Sequence, residues 1–289
     1  MNAKTRNKLR KLWKSADEGV WRQAIELVES LRDTSALGAL AAELDVRFTM
    51  DESAMVNDRL LALLAAGPEE PSLEDLRTRC ARMRFGATSI TPVTGATWLR
   101  ALHAQQTADF DWQALRSLSG LRQLTLTHFD GGAPGAADAW PPLDRLELNG
   151  TLPIEMPQLS ARRLHIDTQG TVHFGTHVTV EEVAVRGEVV DVRGLAASHA
   201  LCSFVCDRTS VESLEGFEAS RRTLQHLHLG NAPRLRSLDA LRGAGGLKHL
   251  YLGGSALETL DDLGAMEFLA EVRGHDVERA VVVVRVARE

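Results

Sequence analysis

The sequence predicts an α/β protein with a small all-α region at residues 1–82 and a repeating region at 83–289 built on a parallel β-sheet. Three observations predict it. Apolar residues keep helical spacing as far as residue 82. Beyond it, β-branched residues mixed with Gly and Pro signal strands and turns. From residue 121 onward an apolar phrase, L-x-x-L-x-L, returns every 18–23 residues.

In the helical region, VWRQAIELVESL places Val20, Ala24, Ile25, Leu27, Val28 and Leu31 on one broad apolar face. SALGALAAEL and SAMVNDRLLALLAAG continue in the same style, with Ser53 as the expected N-cap of the latter. Gly67-Pro68 ends that run, and S-L-E-D at 72–75 reads as a capping box for a further helix. Trp13 and Trp21 are expected to anchor the packing of these helices.

The repeat is strongest at Leu121/Leu124/Leu126, Leu143/Leu146/Leu148, Leu224/Leu227/Leu229 and Leu247/Leu250/Leu252. Weaker copies stand at Ala161/Leu164/Ile166, Val180/Val183/Val185 and Leu201/Phe204/Cys206, and a degenerate one begins at Leu269. The connecting segments repeat in phase. Val211, Leu214 and Phe217 are spaced by three, as are Leu235, Leu238 and Leu241, Leu257, Leu260 and Leu263, and Leu115, Leu118 and Leu121. One such unit cannot bury its own core. Neighbours therefore stack, with strands parallel and stability coming from the interfaces between them. The helical region is expected to cap one end of the stack, and the final strand in ERAVVVVRVARE the other.

With these phrases in view, the chain resembles the leucine-rich-repeat family, and most closely its bacterial, internalin-like subclass with 22-residue repeats. The resemblance covers residues 99–275. It implies a curved solenoid whose concave, strand-lined face binds another macromolecule, usually a protein. The family's Asn near the ninth repeat position is replaced here by Phe129, Thr151, Ala232 and Ser255.

In L-x-x-L-x-L-x the third, fifth and seventh residues alternate with the buried ones and so face solvent. That register makes Arg145, Glu147, Arg163, His165, Asp167, Arg186, Asp207, His226, His228, His249 and Tyr251 the expected binding surface. Tyr, His and Arg suit such a surface because they combine contact area with hydrogen-bonding capacity. His226 and His228 lie two apart on one strand, and His249 follows His226 on the next, with Glu271 continuing the column. Three imidazoles and a carboxylate at that spacing also allow a zinc site, and imidazoles allow a pH-responsive patch. Cys206 falls on a buried position, and Cys202 shares its parity, so both are expected in the core.

Composition narrows the function classes. The apolar fraction of 44% and charged fraction of 25% are those of a soluble globular protein. There is no apolar run of about 20 residues and no apolar signal core at the N-terminus. Three cysteines are too few for a disulfide scaffold, so the expected location is the cytoplasm. The excess of Arg over Lys, abundant Ala and single Tyr fit a GC-rich bacterial source. The first 14 residues carry six Lys/Arg and no acid, although the whole chain is at −6. No C-x-x-C, G-x-S-x-G, G-x-x-x-x-G-K or H-E-x-x-H motif occurs. The expectation is a non-enzymatic protein–protein interaction module, without cofactor, that binds a protein partner through its concave face. The alternatives are a metal-dependent hydrolase built on His226, His228 and His249, and polyanion binding, to nucleic acid or a membrane surface, through the basic N-terminus.

Overall fold

The computed structural model describes residues 2–257 apart from 32, 34, 68, 87–88, 107–109, 130–139, 152, 157 and 175–177, together with a short strand at 271–273. The expected closing strand at 278–289 and the glycine-rich stretch at 131–135 lie outside the described residues, and of the repeat copy beginning at Leu269 only the strand at 271–273 is described. The chain folds as two compact units, residues 1–123 and 124–289.

The first unit opens with α1 (Ala3–Trp13), α2 (Glu18–Leu31) and α3 (Ala36–Ala41). Trp13 and Trp21 meet edge to face with ring centroids 5.8 Å apart, both almost fully buried. The Arg59 guanidinium lies over both rings and donates to the Ser15 carbonyl. The apolar stripe of α2 is narrower than its sequence pattern. Trp21, Ala24, Ile25 and Val28 are buried, whereas Leu31 is exposed.

Ser53 caps no helix. Residues 54–55 form a strand, β1 (Ala54–Met55), and α4 (Asp58–Ala66) starts later, capped by the Asn57 side chain on the Leu60 amide at 2.9 Å. Asn in extended backbone one residue before an acidic first turn outcompetes the earlier serine. Ser72 is likewise no capping box. A 3-10 turn at Pro71–Leu73 runs into α5 (Glu74–Arg79), and the Glu70 side chain accepts from the Ser72 amide.

Strands β2 (Arg82–Arg84) and β3 (Ala101–Gln105) then pair in parallel after β1, in the order β1-β2-β3. Their inward residues are Cys80, Met83 and Phe85, then Leu99, Leu102 and Ala104, each no more than 2% exposed. This is the repeat phrase in degenerate form, two copies ahead of Leu121. A short helix, α6 (Trp112–Ser117), capped by Asp111, closes the unit.

The second unit carries β4 (Gln123–Thr127), β5 (Leu143–Gly150), β6 (Ile154–Met156), β7 (Leu159–Phe174), β8 (Val178–Asp191), β9 (Ser203–Thr209), β10 (His226–Leu229), β11 (His249–Leu252) and β12 (Glu271–Arg273). The sheet runs β5-β7-β8-β9-β10-β11-β12, every pair parallel. Leu146, Leu164, Val183, Phe204, Leu227 and Leu250 stack in register beneath it, none more than 2% exposed. Each fully buried side chain of this kind contributes about 1.5–3 kcal/mol.

Between β9 and β11 the connecting segments take 3-10 turns, at Glu218–Ser220 and Asp239–Leu241, which bury Leu214, Phe217, Leu235, Leu238 and Leu241. Phe174, Phe204 and Phe217 form a chain of edge-to-face contacts across this core. In the middle repeats the return path is extended instead. β6 and the second halves of β7 and β8 form another parallel ladder, Ile154–Val172–Val189–Thr209, fully buried. The segment GTVHF alternates apolar and polar residues and GEVVD carries two β-branched valines, which selects strand over the i, i+3 spacing of the later returns. Adjacent turns are tied through backbone: Phe129 donates to the Asn149 carbonyl and Ala232 to that of Gly253, both at 2.9 Å.

Candidate functional site

The outward residues of the second unit form rows across the sheet. Register puts Arg145, Arg163, Glu182, Ser203, His226 and His249 in one row, and the Glu271 backbone continues it. The next row is Glu147, His165, Ala184, Val205, His228 and Tyr251. Asp167 pairs with Arg186 in the third. Asp207 is exposed beside the irregularity between Val185 and Glu188. Every residue picked from the repeat pattern is partly or fully solvent-exposed, except Glu271, whose side chain lies outside the described residues.

The arginines differ in what holds them. Arg145 pairs with Glu147, whose other oxygen accepts from the Thr125 hydroxyl at 2.9 Å. Arg186 approaches Asp167 at 3.8 Å. Arg163 makes no ion pair among the described residues. Exposed pairs of this kind contribute at most about 1 kcal/mol each, so they orient side chains more than they stabilise the fold.

The C-terminal end of the face is aromatic. His226 and His249 stack at 4.7 Å between ring centroids and 7° between planes, and His228 stacks on Tyr251 at 4.2 Å and 14°. Parallel strands about 4.8 Å apart produce this stacking when flat rings occupy matching positions. Burial holds the His226 imidazole below its ordinary value, with the positive potential of His249 and Lys248 adding to the effect. Burial lowers His228 too, and Asp207 partly opposes it. Stacked rings direct their nitrogens side by side rather than toward one centre. Among the described residues, no group of three or more His, Cys, Asp or Glu side chains is gathered to hold a metal ion.

Cys202 departs from expectation. It is part-exposed, because β9 begins at Ser203 and the strand alternation does not reach back to residue 202. Cys206 is fully buried, and burial pushes its thiol up to about 12.

The basic N-terminus splits in two. Arg10 and Lys14 grip Glu43 at 3.1 and 2.8 Å, and the Lys14 contact holds that carboxyl below its usual range. Lys4, Arg6, Lys8 and Lys11 remain exposed. The first unit also has outward residues that the repeat phrase did not reach. Arg84 lies 3.3 Å from the His103 ring, and Arg82 donates to Gln123 at 3.0 Å. Their signal was Cys80-x-x-Met83-x-Phe85, which carries no leucine. No helix among the described residues is long and apolar enough to cross a membrane.

Compared with protein-family models and with curated proteins, the chain matches none of either.

Proposed function

We propose that this chain is a cytoplasmic leucine-rich-repeat solenoid that acts as an adaptor, regulator or inhibitor-like protein, binding a protein partner through the exposed face of its parallel sheet. The observation that carries this reading is the pair of ring stacks, His226 on His249 and His228 on Tyr251, set in the same rows as Arg145, Arg163 and Glu147. Stacking holds the four rings in fixed positions before any partner arrives, which lowers the entropic cost of association. Aromatic and arginine side chains are the types that dominate binding energy at protein interfaces.

The test compares purified wild-type chain with Tyr251→Ala and Arg163→Glu. Affinity capture from the native host identifies the partner, and titration of that purified partner gives its affinity for each form. Each variant is expected to weaken binding at least tenfold, about 1.4 kcal/mol, with its thermal unfolding unchanged. Equal affinity across the three proteins overturns the assignment of the face.

A further inference from the structure

A charged cavity at the ends of β8, β9 and β10 lies apart from the ring stacks. Its volume is about 340 Å³, and Glu188, Arg208, Thr209, Ser210, Asn231 and Arg234 line it. We infer that it binds a phosphomonoester carrying a nearby amine.

The charges carry the argument. Arg208 and Arg234 come from successive turns, both exposed, and neither forms an ion pair among the described residues. Glu188 is the register partner of Arg208 on the adjacent strand, yet it is not within ion-pair distance of either guanidinium. Two cations and one anion thus border one space without neutralising each other. A phosphate dianion between the guanidiniums, with an ammonium against Glu188, balances all three groups. Arginine forks suit phosphate oxygens, and a phosphate near −2 matches two of them better than a single carboxylate does.

The walls are fixed in advance. The Thr209 amide donates to the Asn231 carbonyl at 2.7 Å, and the Ser210 amide to that of Val189 at 3.0 Å. The Thr209 hydroxyl, itself buried, donates to Val189 at 2.7 Å. Pro233 restricts the backbone next to Arg234. The Ser210 hydroxyl and the Asn231 amide add neutral donors at the rim. The size lies at the lower end of small-molecule cavities, about 300–1,000 Å³.

The test is titration calorimetry of the full chain with inorganic phosphate, phosphoethanolamine and ethanolamine. Phosphoethanolamine is expected to bind one site, about tenfold more tightly than phosphate, with ethanolamine silent. Arg208→Gln or Arg234→Gln should each weaken phosphoethanolamine by about tenfold or more, and Glu188→Gln should bring its affinity down to that of phosphate. A short peptide with phosphoserine at its free N-terminus keeps the ammonium beside the phosphate and separates the two sources of this chemistry. Binding tighter than phosphoethanolamine assigns the site to a partner's phosphorylated N-terminal residue, and weaker binding assigns it to a free phosphorylated amine. The inference is overturned if phosphoethanolamine shows no saturable binding. It is also overturned if the arginine variants, with unchanged thermal unfolding, bind as wild type does, or if Glu188→Gln keeps the preference over phosphate. Loss here leaves the ring-stack face untouched, since none of these residues belongs to it.

Discussion

His226 and His249 occupy register-paired positions on neighbouring strands, and their imidazoles stack at 4.7 Å with planes within 7° of parallel. Ser203 is the neighbour of His226 on the other side and carries no charge, while Lys248 adds positive potential. Adding a proton to His226 therefore brings a cation onto a stacked ring near a lysine. Both His226 and His228 are held below their ordinary value in the fold, whereas the unfolded chain titrates near 6.5. The unfolded state then binds more protons at pH values just below about 6.5. Their contribution to stability is complete above about pH 6.5 and is lost as pH falls toward the lower folded values. Urea midpoints at about pH 7.5 and 5.5 check this. The His226→Gln, His228→Gln double variant is expected to lose less between the two conditions than wild type, and an identical loss would count against the burial argument.

Gly253 marks one of the close approaches between successive segments of the chain. A Cβ there would lie 2.0 Å from the Gly230 carbonyl oxygen, a backbone atom that cannot rotate away. The Gly253 amide meanwhile donates to Leu229 at 2.8 Å, so the strand cannot shift without losing that bond. Gly253→Ala is expected to destabilise the protein by about 1–3 kcal/mol, measured as a lower urea midpoint at an unchanged slope.

Strands β4, β5 and β7 to β11 are legible because their inward residues are mostly leucine at a fixed spacing, and burial alone is enough to set that register. The same logic placed His226, His228, His249 and Tyr251 outward. It could not show that the four rings pair, since stacking depends on rotamers that the register permits without dictating. The ladder through Ile154, Val172, Val189 and Thr209 escaped notice because its residues are β-branched and carry no leucine signature. Strands are expected beyond residue 82, but the repeat positions of β2 and β3 are hidden for a related reason: Cys80, Met83, Phe85 and Ala104 fill leucine positions with other apolar shapes. The cavity bordered by Arg208 and Arg234 was invisible in a different way. Those residues lie 26 positions apart in the sequence, and only the stacking of turns brings them to one space.

Ser198 ties the middle of the second unit together through polar contacts within its core. It is fully buried just after the 3-10 turn at Arg193–Ala197. Its hydroxyl donates to the Val178 carbonyl at 2.6 Å and accepts from the Val180 amide at 3.1 Å, so one side chain serves two backbone groups of β8. Ser198→Ala removes both partners and leaves a buried amide without an acceptor. The expected cost is about 1–3 kcal/mol by urea denaturation, well above the effect of an exposed serine substitution.

The three thiols should separate cleanly by reactivity. Burial pushes Cys80 up to about 11 and Cys206 up to about 12, so near pH 8 almost no thiolate forms at either. Both side chains are also fully enclosed, which bars a reagent even from the small ionised fraction. Cys202 is raised as well, first by burial and then by Glu182 and Glu181, but it is part-exposed just ahead of β9. Brief treatment of the native protein with iodoacetamide at about pH 8 should therefore modify Cys202 alone, more slowly than a free thiol, with all three labelled once urea unfolds the chain. Peptide mass spectrometry reads the sites directly. Native labelling of Cys206 at a rate matching Cys202 would show that the buried leucine row opens on the timescale of the reagent, contrary to the packing described.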